Sequence, residues 1–276
     1  MLPRKMSIAL IGAGPVGTAI AVRSRACGYK ISAIVSRRAS SARTLAARVG
    51  CSLSGTRVRI IPADVDLVVL AVPDGAIERV ALSLAASVPW SRRTGFFHTS
   101  GAMSSDLLAS LRWSGHRVAS LHPIQSFPRH ADRHTIGTVL QDIWWGVECS
   151  ASDRRWAHRI ARSWGGHPFA IPKEVKIAYH LACTFASNYP VLLWLLVAQL
   201  GRHAGVPHGL SPFVPLIRTS LANALEVGPL RALTGPAARG DLAVLRSHRD
   251  VLRRTAPAWV GLFDAIVARA RSTSKI

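Results

Sequence analysis

Lys176, His180, Cys183 and Ser187 succeed one another at intervals of 4, 3 and 4 residues, which sets them on one face of a helix. A lysine one turn from a histidine can perform acid–base work. The ammonium polarises a carbonyl oxygen and gives up its proton as hydride reaches the carbon, while the imidazole orients it. Desolvation beside other cations lowers the pKa of such a lysine towards a useful range. The plainer reading is a snorkelling Lys beside a core His. Three further clusters carry reactive groups. Phe97-His98-Thr99-Ser100-Gly101 closes an apolar run and offers Ser100 and Thr99, either for contact with a ligand or as a cap for a helix near Met103. Ser120-Leu121-His122-Pro123 offers His122 for proton exchange near neutral pH, or a structural His before Pro. Thr234 and Arg239, in the stretch from Leu233 to Asp241, can bind a substrate anion, or form a Gly-Pro turn ahead of an Asp cap. Gly101 and Asn188 complete the candidate substrate contacts.

The elements that must position these groups change character along the chain. Ser7 to Ile11, Ile31 to Val35, Asp66 to Val72, Gly95 to Thr99, Arg117 to Leu121 and Trp144 to Cys149 read as strands. Helical patterns over Pro15–Cys27, Ala39–Val49 and Gly75–Ala86 separate the first of them, so a parallel, doubly wound sheet is expected. Beyond Ile171-Pro172 only long helical patterns follow: Lys173 to His203, Ser211 to Glu226, Asp241 to Arg254 and Ala258 to Arg271. The expected fold is α/β, with an N-terminal Rossmann dinucleotide-binding domain over residues 1–171 and an all-helical domain over 172–276.

Within the first domain, Gly12-Ala13-Gly14-Pro15-Val16-Gly17 is a G-x-G-x-x-G between a strand and a helix. Gly12 permits the tight turn, Gly14 lets a pyrophosphate approach the backbone, and Gly17 lets helix and strand pack closely. The helix N-terminus supplies free N–H groups to the anion. An NAD site would end the second strand in Asp or Glu; this one ends in Ser36-Arg37-Arg38, which suits the 2′-phosphate of NADP(H). Val72 and Pro73, at the end of the third strand run, complete the cofactor-binding expectation.

The chain has 276 residues, with 35 Lys+Arg against 14 Asp+Glu, a formal net charge of +21. No acidic residue precedes Asp64. The charge carries no basic block, aromatic interleaving, zinc-finger or RNA-recognition signature, so specific nucleic-acid binding is not expected. The four cysteines are scattered, which excludes a disulfide framework and any cysteine pair at metal-ligand spacing. The N-terminal apolar run is cut at Gly12, too soon for a signal peptide, and a cytoplasmic setting is the expectation. Ile177 to Gly201 lacks formal charge, but His180, Gln199 and Ser187-Asn188-Tyr189-Pro190 argue for a buried core helix of a helical domain rather than a membrane span. Long uncharged helices of this kind call for a partner, and a homodimer is expected.

Six stretches, IGAGPVGTAI (11–20), AVPDGAI (71–77), HTSGA (98–102), SLHPIQSF (120–127), IPKEVKIAYHLACTFASNY (171–189) and LTGPAARGD (233–241), resemble in order those of a bacterial family. In it a Rossmann-like domain precedes a helical domain of unknown function. The family is grouped with pyrroline-5-carboxylate reductases, β-hydroxyacid dehydrogenases, ketopantoate reductases and prephenate dehydrogenases. The resemblance implies hydride transfer without naming a substrate. Lys176 falls where the β-hydroxyacid dehydrogenases keep a catalytic Lys, although His180 stands where they have Asn. His122-Pro123 resembles the His-Pro motif of the prephenate dehydrogenases. Thr234-Gly235-Pro236 is similar in place to the substrate loop of the pyrroline-5-carboxylate reductases but lacks its Gly-Gly-Thr-Thr run. The reading is an NADP(H)-dependent reductase of a C=O or C=N bond in a small anionic metabolite. Lys176, His180, His122 and Ser100 form its catalytic set, and Arg239 is the anion clamp. The alternatives are a non-catalytic NADP(H) sensor and a deazaflavin-linked reductase.

Overall fold

The computed structural model describes residues 6–87, 89–127 and 133–273. Two compact units divide at Thr184/Phe185. The first contains β1 (Ser7–Ile11), α1 (Pro15–Ala26), β2 (Lys30–Val35), α2 (Ala39–Val49), β3 (Ser54–Gly55), β4 (Leu67–Leu70), α3 (Ile77–Ser87) and β5 (Gly95–His98). It continues with α4 (Ala109–Trp113), β6 (Arg117–Pro123), α5 (Arg133–Thr138), β7 (Trp144–Cys149), α6 (Arg154–Ser163) and β8 (His167–Ala170). The first turns of α7 (Lys176–His203) also belong to it.

The sheet order is β3-β2-β1-β4-β5-β6-β7-β8. The chain winds outward from β1 in both directions, so the carboxyl ends of β1 and β4 flank the crossover point where an open α/β sheet takes its ligand. The central strands are apolar throughout because helices cover both faces: Ile8, Ala9, Leu10, Leu67, Val68, Val69 and Leu70 are all fully buried. One core lies under α1, α2 and α6, and the other under α3 and α4. Asp66 ties β4 to β1, its Oδ2 accepting from the Ser7 N–H at 2.7 Å and the Ser7 hydroxyl at 2.9 Å.

The sheet departs from the expected parallel arrangement in one place. β6 and β7 run antiparallel, with Leu121 opposite Val147 and Ser120 opposite Glu148. The helix between them, α5, has six residues and spans about 9 Å. β7 starts at the carboxyl edge and runs back. β7 then pairs in parallel with β8, a strand absent from the sequence pattern.

The second unit, Phe185–Ile276, holds the rest of α7, then α8 (Val214–Val227), α9 (Pro229–Ala232), α10 (Pro236–Arg239), α11 (Leu242–Thr255) and α12 (Val260–Thr273). As expected, the described part contains helices and no strand, but α7 is not the buried core helix its apolar run suggested: Phe185, Val191, Leu192, Leu193 and Leu195 are all exposed. Arg249 of α11 forks onto the Asp264 carboxylate of α12, its Nε donating to Oδ1 and its Nη2 to Oδ2, each at 2.9 Å, and the Gln199 amide donates to the Thr255 carbonyl at 3.0 Å. Leu196, Leu200, Val251, Trp259, Phe263 and Ile266 help line an apolar cavity of about 320 Å³. The break between units lies further along α7 than the texture change at Pro172, because the side chains of Lys176 and Tyr179 are bonded to β6.

Candidate active site

The glycine turn is built as its spacing demands. Gly12 has φ +109°, and a Cβ there would stand 2.0 Å from the Ala71 carbonyl oxygen. Only glycine adopts that conformation at that distance. A Cβ on Gly17 would fall 2.0 Å from the Gly12 carbonyl oxygen, so this glycine lets α1 pack against the turn. Gly14 differs: it is exposed, and a Cβ on it would meet nothing within 4 Å. Its open side faces away from the protein at the α1 N-terminus, where Pro15 occupies the first turn. Ala13, Val16, Val72 and Pro73 border the same carboxyl edge. This cradle fits a dinucleotide pyrophosphate: backbone donors at a helix N-terminus, with no side chain in the way.

Beside it, Ser36 follows β2, its N–H held by the Gly55 carbonyl at 3.0 Å, and Arg37 and Arg38 are exposed. The three residues adjoin the end of the cradle where the adenosine ribose of a dinucleotide belongs, and no carboxylate stands among them.

A polar cluster gathers beyond the carboxyl ends of β5 and β6. His98 is fully buried; its Nδ1 accepts from the Ser100 N–H at 3.2 Å, so Nε2 carries the proton and donates to the Ser104 carbonyl at 3.0 Å. Burial pushes its pKa down to about 4. The Ser100 hydroxyl accepts from the N–H groups of Ala102 and Met103, at 3.2 and 3.0 Å, and so serves the turn that follows. Thr99 is half-buried next to it, its N–H bonded to the Leu70 carbonyl.

His122 projects from β6 and meets Tyr179 of α7, with Nδ1 2.6 Å from the phenolic oxygen. Burial, aided by the charges of His180 and Lys176, brings the His122 pKa down to about 4. The Tyr179 phenol is pushed up by burial and by Cys183, which hydrogen-bonds to it. At neutral pH the pair is therefore an uncharged imidazole against an intact phenol. The His180 ring lies 5.9 Å from that of His122. Gly101 is the floor between them: a Cβ there would be 2.7 Å from His180 Cδ2 and 2.9 Å from His122 Nε2.

Lys176 is 1% exposed. Its ammonium donates to the Ser120 hydroxyl at 2.9 Å, and that hydroxyl donates to the Ser100 carbonyl at 2.9 Å. Burial lowers its pKa to about 8, against the opposing pull of the Glu148 and Asp74 carboxylates. Glu148, 6% exposed and opposite Ser120 on β7, accepts from the backbone and hydroxyl of Ser105. A snorkelling lysine would lead its ammonium to water; this one leads it into a hydrogen-bonded interior.

The structure thus brings Lys176, His180, His122, Ser100, Thr99 and Gly101 together in the first unit. Asn188, Thr234 and Arg239 lie in the second. Asn188 is exposed, its Oδ1 accepting from the Ser187 hydroxyl at 2.9 Å. Thr234 and Arg239 are exposed around α10, and Asp241 caps the next helix. Tyr179, Ser120 and Glu148 are the members that sequence reasoning missed. Tyr179 had a signal, since it lies three residues after Lys176 on the face the helix turns inward. Glu148 had none, because its place depends on the antiparallel return of β7. Among the described residues no group of His, Cys, Asp and Glu is arranged to hold a metal ion.

Comparison with known proteins agrees with this architecture. Residues 7–92 match the family described as NADP oxidoreductase, coenzyme F420-dependent, and residues 143–270 match the domain of unknown function DUF2520. No curated protein matches the chain. Among solved structures, protein BF3122 of Bacteroides fragilis, whose assignment as an NADP oxidoreductase is itself provisional, is 24% identical. The match covers 97% of this chain and 98% of that one, with a TM-score of 0.81. Protein TM1727 of Thermotoga maritima is 27% identical over 97% of this chain and 98% of its own, with a TM-score of 0.72. An imine reductase of Myxococcus stipitatus in complex with NADP+ shares the fold at 17% identity, over 98% and 94% of the two chains, with a TM-score of 0.67. The chain thus joins a Rossmann-like segment that matches the F420-dependent NADP oxidoreductase model to a C-terminal segment that matches DUF2520.

Proposed function

We propose that the protein is an NADP(H)-dependent oxidoreductase that reduces a C=O or C=N bond of a small anionic metabolite of the 2-oxo acid or imino acid type. The observation that carries this reading is the shared edge. The glycine cradle and the His122–Tyr179–Lys176 cluster both lie beyond the carboxyl ends of one sheet. The solved relatives include an imine reductase with NADP+ and a pyrroline-5-carboxylate reductase, which supports the same class.

Gly12 to Gly17 would hold the pyrophosphate, Ser36, Arg37 and Arg38 the 2′-phosphate, and Val72 and Pro73 the crevice wall. The bound cofactor supplies hydride. His122, neutral and backed by Tyr179, relays a proton from water to the substrate heteroatom as hydride arrives, taking one up on one ring nitrogen as it gives one from the other. Lys176 keeps a positive charge behind the reacting centre and acts through Ser120, since direct contact would require breaking the 2.9 Å bond. His180 and Gly101 shape the pocket, and Ser100 and Thr99 fix its wall. Asn188, Thr234 and Arg239 are carried as substrate contacts on the sequence pattern. The setting is cytoplasmic and the active form a homodimer. Apolar side chains such as Leu195, 60% exposed, and Leu225, 78% exposed, suit burial against a second copy. Light scattering should find a dimer at micromolar concentration; a monomer there would remove that part of the proposal.

The decisive experiment titrates the purified protein with NADPH and NADH, then screens 2-oxo acids and cyclic imines for NADPH oxidation. Preferred NADPH binding with turnover is expected. Tight binding without turnover across the panel would favour a sensor. Turnover only with reduced deazaflavin would favour that cofactor, in line with the family matched by residues 7–92.

A further inference from the structure

A second concave surface lies on the face of the sheet that carries α3. A groove of about 440 Å³ runs between α3 and the 3-10 turn Val58–Ile60. Arg57 and Arg59 stand on one side with Thr56, and Arg79, Ser83 and Ser87 on the other. The latter three recur every fourth residue along one face of α3, a span of about 12 Å. Val58 and Val80 form an apolar floor, anchored in the core beneath α3. No Asp or Glu lines the groove, and among the described residues none of the three guanidiniums has an ion-pair partner. Like charges gathered around one hollow repel each other until an anion sits among them. Ser36, Arg37 and Arg38 do not line it.

We propose that this groove binds an organic di- or triphosphate of the nucleotide class, at a site separate from the dinucleotide cradle. Guanidinium groups grip phosphoryl oxygens in a fork, and the hydroxyls of Ser83, Ser87 and Thr56 add neutral donors. Two valines between the cationic rims give a flat apolar moiety somewhere to rest. An inorganic anion uses only the rims; a nucleotide uses rims and floor. The proposal is independent of the reaction assigned to the crevice.

Calorimetric titration of the full-length protein with ADP and with inorganic pyrophosphate, in saturating NADPH, tests it. ADP is expected to bind with NADPH present, and more tightly than pyrophosphate. Arg57→Ala with Arg79→Ala should weaken ADP by about tenfold or more, the loss of charge-assisted hydrogen bonds. Arg155→Ala with Arg159→Ala, which removes the same charge from exposed positions of α6, should leave ADP binding unaffected. Displacement of ADP by NADPH would overturn the separate site. Equal losses in the α6 control would reduce the attraction to net charge, and pyrophosphate binding as tightly as ADP would remove the nucleotide class.

Discussion

His122 and Tyr179 are 2.6 Å apart, and each alone would be an ordinary half-buried side chain. Together they make a neutral donor–acceptor pair whose protonation is fixed across the physiological range. His122→Asn should lower kcat by about 10²- to 10⁴-fold, the usual worth of a positioned acid–base group, while Tyr179→Phe should cost less and leave NADPH affinity unchanged. A fall in NADPH affinity equal to the fall in kcat would show that these residues merely support the cofactor. With Lys176 at about 8, kcat/KM should decline above that pH as its charge is lost, and Lys176→Met should abolish the alkaline limb. His98 makes a different prediction, about stability. Its folded pKa of about 4 lies below the ordinary value of 6.5, so between those values the unfolded chain binds more protons. Its contribution is whole above pH 6.5 and is lost as the pH falls towards 4, about 3 kcal/mol in all. The melting temperature should fall as the pH drops through that range, and His98→Asn should flatten this dependence. Lys176, His180 and His122 were legible in the sequence because helical spacing and a strand end mark them. Ser120 and Glu148 were not, because hydroxyls and carboxylates on strands become partners only through register.

The glycine turn separates two jobs that a motif merges. Gly17 must admit α1 to the turn, whereas Gly14 has open space around it. Gly14→Ala should therefore leave the melting temperature within a degree or so of the parent while weakening NADPH. Gly17→Ala should lower both, since backbone has to move from 2.0 Å. Equal melting for the two variants would contradict the packing role of Gly17. At the level of elements, β1, α2 and β7 have the limits their patterns indicated, and several helices begin with a 3-10 turn inside the anticipated span, as at Lys173–Val175 and Ser211–Phe213. β8 escaped notice because His167-Pro168-Phe169-Ala170 offers neither alternation nor an apolar run, and a proline in it suits only an edge strand. The direction of β7 was equally hidden, since the apolar pattern of Trp144 to Cys149 reads the same in a parallel and in an antiparallel strand.

As a whole the molecule is a cation, with net charge +21 and a pI near 11.6. A small anionic substrate would be drawn to such a surface, and the attraction is screened beyond about 8 Å at physiological salt. kcat/KM for an anionic substrate should therefore fall as salt rises from low to physiological strength, with kcat nearly constant. A salt-independent ratio would mean that the charge is spread without regard to the crevice. One local feature also reports on the entire first unit. Lys30 and Lys173 are exposed, while Lys176, its pKa lowered by burial, is sealed beneath Ser120. An acylating reagent can reach Lys176 only when the fold around it parts, so the slow phase of its modification acts as a clock for opening. Bound cofactor, by holding the cradle and the strands beneath it closed, should slow that clock without touching the lysine.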